Sequence, residues 1–492
     1  MPDNSKDYYS LLGLPRSVTS DEIRHAYLKA AKHLHPDVNK SPGETEMFMT
    51  AQQAYQVLSD PARRAAYDAT LPPERPIPPI INKRLLVSRK MLSPRKENQL
   101  VYLLIEMEAA KEYLGAASFV PLNICLALDV STSMKGEKLE KAKETALHLI
   151  RKLRPQDIFS VVAFNDRAEV IIPASRQANP VKMENSIRRI ETSGGTEMLN
   201  GLRVALDEVN RYHNPKYINQ IILLTDGRTY GDEEACYALA KEAAIRGTGI
   251  NGLGIGSGWN DIFLDHLATL TGGTSTLAPQ PQDIERLLME KFSSISKTFA
   301  ENVSLEYKLD EGIEINYAFR LLPVTDPLPC ENPLRMGPIL QAWPFSVLIE
   351  FVVHPREDNS KNVTLLEGNF EISVNSLDVP LRSIPINVVL SLRDTIELDS
   401  PPAAMIQALS KLTLYRMQEK ARSEISRGNY AQGSEHLQRL ATRLLSQGER
   451  SLAKTIMLEI ENIETSNSIS EIGEKQIKYG TRGLFLPEEV RR

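Results

Sequence analysis

Two nearly continuous apolar runs that lead into acidic residues constrain the fold of this chain most strongly. Residues 122–128 read LNICLAL and are followed by Asp129, whereas residues 221–224 read IILL and are separated from Asp226 by one residue. Runs of this kind are typical of parallel strands that are buried on both faces. Because amphipathic helices alternate with such runs, residues 120–298 are predicted to form a doubly wound parallel sheet.

Five residues with side-chain oxygens follow these predicted strands or open a helix: Asp129, Ser131, Ser133, Thr196 and Asp226. The carboxyl ends of parallel strands meet at one edge of such a sheet, so we expect these side chains to lie together there. A set made only of oxygens suits a hard divalent cation, Mg²⁺ or alternatively Mn²⁺ or Ca²⁺. The bound ion would keep positive charge and attract an acidic side chain of a protein partner. The alternative is a cluster that caps helix N-termini without a metal.

The Asp-x-Ser-x-Ser spacing, with Gly-Gly-Thr and Thr-Asp-Gly segments later in the chain, resembles the metal-ion-dependent adhesion site of von Willebrand factor type A (VWA) domains. The resemblance covers the whole predicted α/β segment. It implies that Ser131 and Ser133 bind the metal directly, and that Thr196 does so directly or through water. It also implies that Asp129 and Asp226 act largely through water and hydrogen bonds.

Residues 1–70 read as helices and contain the tripeptide His35, Pro36, Asp37. Apolar residues recur at helical spacing over residues 21–34, immediately before the tripeptide. Proline does not easily continue a helix, so the tripeptide is predicted to lie in a loop at the helix end. A second amphipathic helix follows, and a short third helix is predicted to start at a proline.

Residues 6–70 resemble a J-domain over nearly their whole length, from the Asp-Tyr-Tyr start to the Tyr-Asp end. J-domains stimulate ATP hydrolysis by DnaK-type heat-shock chaperones through the His-Pro-Asp loop and the basic face of the preceding helix. The resemblance implies the following chaperone-binding residues: His35, Pro36, Asp37, Arg24, Tyr27 and Lys29. Leu28 stands where many relatives have a basic residue, which predicts a weaker or more selective electrostatic contact.

The remaining segments complete the predicted fold class, which is multidomain. An all-α J-domain is followed by an α/β doubly wound, Rossmann-like VWA domain inserted in a β-sandwich, and then by a C-terminal α-helical domain. The predicted boundaries are a J-domain at 1–70, a Pro-rich linker at 71–80, N-terminal sandwich strands at 81–119, the VWA domain at 120–298, the rest of the sandwich at 299–397, a helical bundle at 398–466 and a C-terminal tail at 467–492. The tail is expected to dock on the body or to recruit a partner.

Charge and hydropathy argue against two classes of partner. The net charge of the 492 residues is −5, which is unlike a nucleic-acid binder that needs a dense basic surface. We therefore interpret four C-terminal cations as a solvated helix face: Lys411, Arg416, Lys420 and Arg422. No apolar run approaches the roughly 20 residues of a membrane span, and no secretion signal is visible. With three widely spaced cysteines, this predicts a cytoplasmic protein.

These features predict a J-domain co-chaperone that is not itself an enzyme and that binds a partner through its metal site. One alternative is a scaffold or assembly factor that uses metal-dependent adhesion and has an inactive J-domain. A less favoured alternative is a Mg²⁺-dependent hydrolase with an activated water at Asp129 and Asp226. Against the hydrolase, the sequence shows no general base or phosphate-binding loop to accompany the ion.

Overall fold

The computed structural model describes residues 8–14, 16, 18–34, 42–71, 79–93, 97–113, 120–176, 179–229, 231–355, 362–376, 381–393 and 400–484. The N-terminal helical unit comprises α1 (Tyr8–Leu12), α2 (Ser20–Leu34), α3 (Pro42–Leu58) and α4 (Pro61–Asp68). These helices share their own small core, which includes Tyr9, Leu12, Ile23, Ala54 and Leu58. As predicted, α4 starts at a proline, and the Asp60 side chain caps it by accepting hydrogen bonds from the Ala62 and Arg63 amides.

The β-sandwich is built from strands on both sides of the α/β unit, as the sequence predicts. Its strands are β1 (Ile81–Val87), β2 (Met91–Leu92), β3 (Gln99–Ala109), β10 (Thr298–Lys308), β11 (Ile313–Leu322), β12 (Asp326–Leu328), β13 (Leu334–Leu340), β14 (Phe345–Val353), β15 (Asn362–Ser373) and β16 (Leu381–Leu392). One sheet has the order β1-β3-β14-β11-β12 and the other β13-β10-β15-β16-β2. A shared apolar core fills the space between the two sheets.

The α/β unit has a six-stranded sheet in the order β6-β5-β4-β7-β8-β9. Its strands are β4 (Leu122–Asp129), β5 (Ile158–Phe164), β6 (Ala168–Ser175), β7 (Ile218–Thr225), β8 (Thr248–Ile255) and β9 (Ser275–Ala278). All neighbours pair in parallel except β5 and β6. Both β4 and β7 are buried along their whole length, which explains their apolar sequences.

Helices cover both faces of this sheet and complete the doubly wound fold. They are α5 (Glu137–Lys152), α6 (Pro180–Arg188), α7 (Met198–Asn210), α8 (Glu233–Ile245), α9 (Asp261–Leu270) and α10 (Asp283–Ser296). The chain adds β5 and β6 on one side of β4, and β7, β8 and β9 on the other side. The order therefore reverses between β4 and β7, and ligands of open α/β sheets bind at such a point.

Four C-terminal helices complete the described chain, and the predicted fold class is confirmed. They are α11 (Ala403–Ser426), α12 (Tyr430–Ser446), α13 (Arg450–Ser466) and α14 (Glu471–Gly483). The turns before α12 and α13 contain Gly428 and Gly448, both at positive φ. The prediction of a tail over 467–492 misses α14, whose buried residues include the cations Lys475, Lys478 and Arg482 beside the apolar Ile477. Among the described helices, none has the length and apolar character that a membrane span requires.

The prediction of a solvated basic face on α11 is wrong for two of its four residues. Arg416 donates to the buried carboxylate of Glu350 at 2.8 Å. Arg422 donates to both carboxylate oxygens of Asp261, at 2.8 and 3.0 Å. Both cations form contacts between domains, because each donates hydrogen bonds to an acidic side chain of a segment that is distant in the sequence.

Candidate functional site

The acidic ends of β4 and β7 meet at the reversal of strand order, and hydroxyl groups link them. Asp129 Oδ1 accepts a hydrogen bond of 2.8 Å from the Ser131 amide. The hydroxyl oxygens of Ser131 and Ser133 lie 3.0 Å apart, and Ser133 donates to Asp226 Oδ1 at 2.6 Å. Four of the five predicted metal-site residues are thus brought into one continuous cluster.

The fifth residue, Thr196, arrives from the loop before α7. Gly195 donates its amide to Asp166 Oδ1 at 2.7 Å, which fixes this loop against the turn between β5 and β6. A Cβ atom on Gly227 would lie 2.6 Å from Thr196 Oγ1 and 3.4 Å from Asp129 Oδ2. The Thr196 hydroxyl therefore lies beside the two carboxylate-bearing strand ends, and only glycine leaves room for it at position 227.

Two further residues complete the cluster, and the sequence pattern did not predict a role for either of them. Thr225 Oγ1 donates to Asp129 Oδ2 at 2.6 Å and so orients this buried carboxylate. Lys138, in the first turn of α5, donates its ammonium group to Asp226 Oδ2 and, at 3.3 Å, to the Ser133 carbonyl. Their positions in the sequence could have indicated that both lie near the site, because Thr225 directly precedes Asp226 and Lys138 lies five residues after Ser133.

The electrostatics of the cluster fit a cation. Burial raises the pKa of Asp129, while hydrogen bonds from Thr225 and Ser131 oppose the rise and the nearby charge of Asp226 adds to it. The Lys138 ammonium group compensates only part of the negative charge of the Asp129 and Asp226 carboxylates. No three His, Cys, Asp or Glu side chains cluster as possible metal ligands in the described segments. An ion here would consequently rely on hydroxyl oxygens, which together with carboxylates suit Mg²⁺ or Mn²⁺.

Helix α14 packs beside the loops that carry this site. Arg228 donates through Nε to the Gly258 carbonyl at 3.0 Å and through a terminal nitrogen to Glu471 at 2.9 Å. Lys475 donates to the carbonyls of Ser257 and Trp259. A Cβ atom on Gly258 would lie 2.9 Å from the backbone oxygen of Asp226. The last helix thus supports the β8–α9 loop, which itself touches the loop of Asp226.

A buried ion network anchors the same helix to α9. Lys478 pairs with Asp261 and, at 2.7 Å, with Asp265, while Arg482 pairs with Asp265 at 2.6 Å. Burial alone would raise the pKa of Asp261, but hydrogen bonds from Arg422 and the charge of Lys478 lower it to about 2. The carboxylates therefore stay ionised at neutral pH and hold the cations of α14 in place.

The residues expected to bind a chaperone lie on and after α2. Arg24 is exposed, whereas the Tyr27 ring stacks on Tyr55 with centroids 4.2 Å apart. Lys29 extends to the β-sandwich, where its Nζ forms ion pairs with Glu306 and Glu371. The other three predicted residues, His35, Pro36 and Asp37, lie outside the described residues.

Comparison with known protein families matches three segments of the chain. A DnaJ domain model matches residues 7–68, and a von Willebrand factor type A domain model matches residues 124–228. The chain carries a J-domain and a VWA domain. A third model, the Sll0103-like C-terminal alpha-helical domain, matches residues 403–487 and so includes the helix that packs beside the VWA site.

Similar curated proteins match single parts of the chain. An uncharacterized protein, sll0103, from Synechocystis is 32% identical over 191 residues, which is 39% of this chain and 45% of that protein. Chaperone protein DnaJ 2 from Thermus thermophilus is 54% identical over 63 residues, which is 13% of this chain and 22% of that protein. The chain thus spans less than half the length of each of these relatives.

Two solved structures share the fold of most of the chain. A von Willebrand factor type A protein from Catenulispora acidiphila superposes with a TM-score of 0.66 at 16% identity, covering 82% of this chain and 96% of that one. The ArnB paralog VWA2 from Sulfolobus acidocaldarius has a TM-score of 0.52 at 15% identity, covering 82% and 98%. At these identities the likeness concerns the fold alone.

Proposed function

We propose that this chain is a co-chaperone that binds a protein partner through a divalent cation in its VWA domain. Its J-domain would stimulate ATP hydrolysis by a DnaK-type chaperone and so direct that chaperone to the bound partner. The observation that carries the proposal is the meeting of carboxylate and hydroxyl oxygens at one sheet edge in a chain that also has a J-domain. A short linker between the modules raises their local concentration relative to each other.

Each residue of the VWA site has a definable task in this function. The hydroxyls of Ser131 and Ser133 would bind the cation directly, and that of Thr196 would do so directly or through water. Asp129 and Asp226 would supply negative charge, and each of them accepts a hydrogen bond from a hydroxyl group. A cation bound there, Mg²⁺ or alternatively Mn²⁺ or Ca²⁺, supplies a positive charge that an acidic side chain of the partner can contact.

The chain itself then acts by binding and not as an enzyme. Hydrolysis of ATP belongs to the chaperone, and the J-domain contact biases the conformational equilibrium of that protein. The proposed compartment is the cytoplasm. Free thiols at Cys125, Cys236 and Cys330 accord with a reducing environment.

Single-turnover ATP hydrolysis by a purified DnaK-type chaperone tests the co-chaperone function. We expect the wild-type chain to accelerate hydrolysis and the His35→Gln variant to leave the rate at its basal value. Absence of stimulation by the wild-type chain, with its cognate chaperone, would contradict the proposal and favour a scaffold with an inactive J-domain. Substrate turnover by the chain alone would favour a hydrolase.

Titration with Mn²⁺, followed by electron paramagnetic resonance, tests the metal site independently of the chaperone. We expect one tight site in the wild-type chain and its loss in Asp129→Ala. A matched variant, Asp207→Ala, removes a carboxylate from α7 outside the cluster and should keep the site. Equal Mn²⁺ binding by all three proteins would contradict a role for the cluster.

A further inference from the structure

One outer face of the β-sandwich carries two glutamates, Glu306 on β10 and Glu371 on β15. Side chains alternate between the faces of a strand, and the neighbouring Leu305 and Phe370 are buried in the core between the two sheets. The two glutamates therefore point away from the core. Ser383, paired opposite Glu371 on β16, also lies on this face and donates to Glu371 Oε1 at 2.7 Å.

Lys29 of the J-domain reaches this face. Its Nζ lies 2.7 Å from Glu371 Oε1 and 3.1 Å from Glu306 Oε2. The side chains of Lys29 and Glu371 are only 15% and 7% exposed, so the ammonium group is enclosed between the two domains. This acidic face is polar, unlike the apolar interior that the sheets share, and its contact with Lys29 is electrostatic.

Lys29 is also one of the residues that the J-domain resemblance assigns to chaperone binding. An ammonium group that is held by two carboxylates is unavailable to an acidic surface of another protein. We propose that the face carrying Glu306 and Glu371 is an intramolecular docking surface for the J-domain, and that it competes with a DnaK-type chaperone for Lys29. The inference rests on the proposed function and adds to it a control of when the J-domain acts.

The strength of the contact suits a reversible control. Ion pairs with one partly exposed member, here Glu306 with a side chain that is 47% exposed, are individually weak. Seven residues of sequence separate the described ends at Leu71 and Pro79, so the two surfaces stay at an effective concentration on the order of millimolar. A weak contact at such a concentration forms in the free chain and is displaced when a chaperone binds Lys29.

The first test measures single-turnover ATP hydrolysis by the chaperone over a range of concentrations of the full chain. The double variant Glu306→Gln with Glu371→Gln keeps the shape of the face and removes the two charges that Lys29 contacts. We expect it to reach half-maximal stimulation at about a threefold to tenfold lower concentration than the wild type. Glu367→Gln, an exposed glutamate four residues before Glu371 on the same strand, is the matched control and should behave as the wild type.

The second test detects the contact without a chaperone. Carbodiimide joins carboxylates to amines in ion pairs, and mass spectrometry should find Lys29 linked to Glu306 or Glu371 in the wild-type chain and not in the double variant. Absence of this cross-link in the wild type would overturn the inference. The inference would also be overturned if both proteins stimulate hydrolysis and reach half-maximal stimulation at the same concentration. If the wild type forms the cross-link but neither it nor the double variant stimulates ATP hydrolysis by the chaperone, the proposed function is overturned, and with it the competition for Lys29.

Discussion

The guanidinium group of Arg228 donates a hydrogen bond of 2.9 Å to the Glu471 carboxylate and joins the VWA site loop to the last helix of the chain. Arg228 lies two residues after Asp226, and Glu471 is the first residue of α14. The C-terminal helical domain therefore contacts the loops that shape the proposed metal site. A buried part of this contact is formed by Lys475, whose ammonium group donates hydrogen bonds to two carbonyl oxygens of the β8–α9 loop.

Replacing Lys475 with Met should lower the stability of the chain and loosen the site loop. The carbonyls of Ser257 and Trp259 would lose their donor in a buried setting, which costs about 1–3 kcal/mol. Urea unfolding followed by fluorescence measures this, because Trp259 is buried at the affected contact. The exposed Lys420→Met serves as control and should change the free energy of unfolding by less than about 0.5 kcal/mol. Equal stabilities of the two variants would contradict the prediction.

Replacing Gly227 with Ala should weaken Mn²⁺ binding while the fold is retained. The added methyl group would lie 2.6 Å from Thr196 Oγ1, so the Thr196 hydroxyl has to move away from the two carboxylates. Isothermal titration with Mn²⁺ measures the affinity. Gly483→Ala adds a methyl group where no atom lies within 4 Å and should leave the affinity unchanged. An unaltered affinity in Gly227→Ala would remove Thr196 from the ligand set.

Replacing Thr225 with Val keeps the side-chain shape but removes the hydrogen bond that it donates to Asp129 and the one that it accepts from the Gly227 amide at 3.1 Å. Groups that orient metal-site carboxylates contribute about 10–100-fold to metal affinity, and we expect a loss of that order for Mn²⁺. The matched control is Thr145→Val, since Thr145 is equally buried but its hydroxyl bonds only a carbonyl of its own helix. A loss of affinity in both variants would indicate a general effect of buried hydroxyl removal and would contradict the specific role of Thr225.

The meeting of the Asp129 and Asp226 carboxylates can be predicted from the sequence, because the carboxyl ends of parallel strands lie at one edge of the sheet. Asp129 is the last residue of β4 and Asp226 directly follows β7, and these fully buried strands are neighbours in the sheet. Lys138 and Thr225 were missed because their roles depend on side-chain direction. Whether a lysine in the first turn of a helix turns back to a carboxylate is decided by the loop before it and not by periodicity.

The interface between the C-terminal helices and the rest of the chain could not be predicted from the sequence, for a different reason. Arg422, Lys478 and Arg482 follow the pattern of solvent-exposed helix cations, and each of them has an acidic partner that lies more than 150 positions away in the chain. Helical periodicity separates apolar from charged faces but does not identify a charged face that another domain buries. The helix of residues 471–483 is not evident from the sequence, because charged side chains form much of the surface that it buries.

Removing a cation from the buried ion-pair network of α14 should lower the free energy of unfolding substantially. Arg482 is buried and pairs with Asp265 at 2.6 Å and Asp326 at 3.1 Å. Arg482→Met leaves these carboxylates with fewer cations, and loss of one partner of a buried ion pair costs about 3–5 kcal/mol. Urea unfolding measures the change. Arg439→Met removes an ion pair between two exposed side chains of one helix and should lower the free energy of unfolding by less than about 1 kcal/mol. Similar losses in the two variants would show that the buried network contributes no more than a surface pair.

Stability should fall between pH 6 and 8 because of Glu301, which joins the VWA domain to the sandwich. This buried carboxyl accepts hydrogen bonds from the Asn219 amide, Gln220 and Asn375, and burial raises its pKa to about 8. The folded chain then holds a proton that the unfolded chain, with a glutamate pKa of about 4.3, has released. The stabilisation is complete below that lower value and is lost as the pH rises through about 8.

In Glu301→Gln this dependence should disappear. Between pH 6 and 8 the free energy of unfolding of the wild type should fall by about 1 kcal/mol per pH unit relative to the variant. Lys291, which lines the same small cavity, has its pKa lowered by burial to about 8, so its opposite effect on stability begins only near that pH. Urea unfolding at pH 6, 7 and 7.5 therefore isolates Glu301. Parallel curves for the two proteins would mean that this carboxyl is already ionised in the folded chain at pH 6.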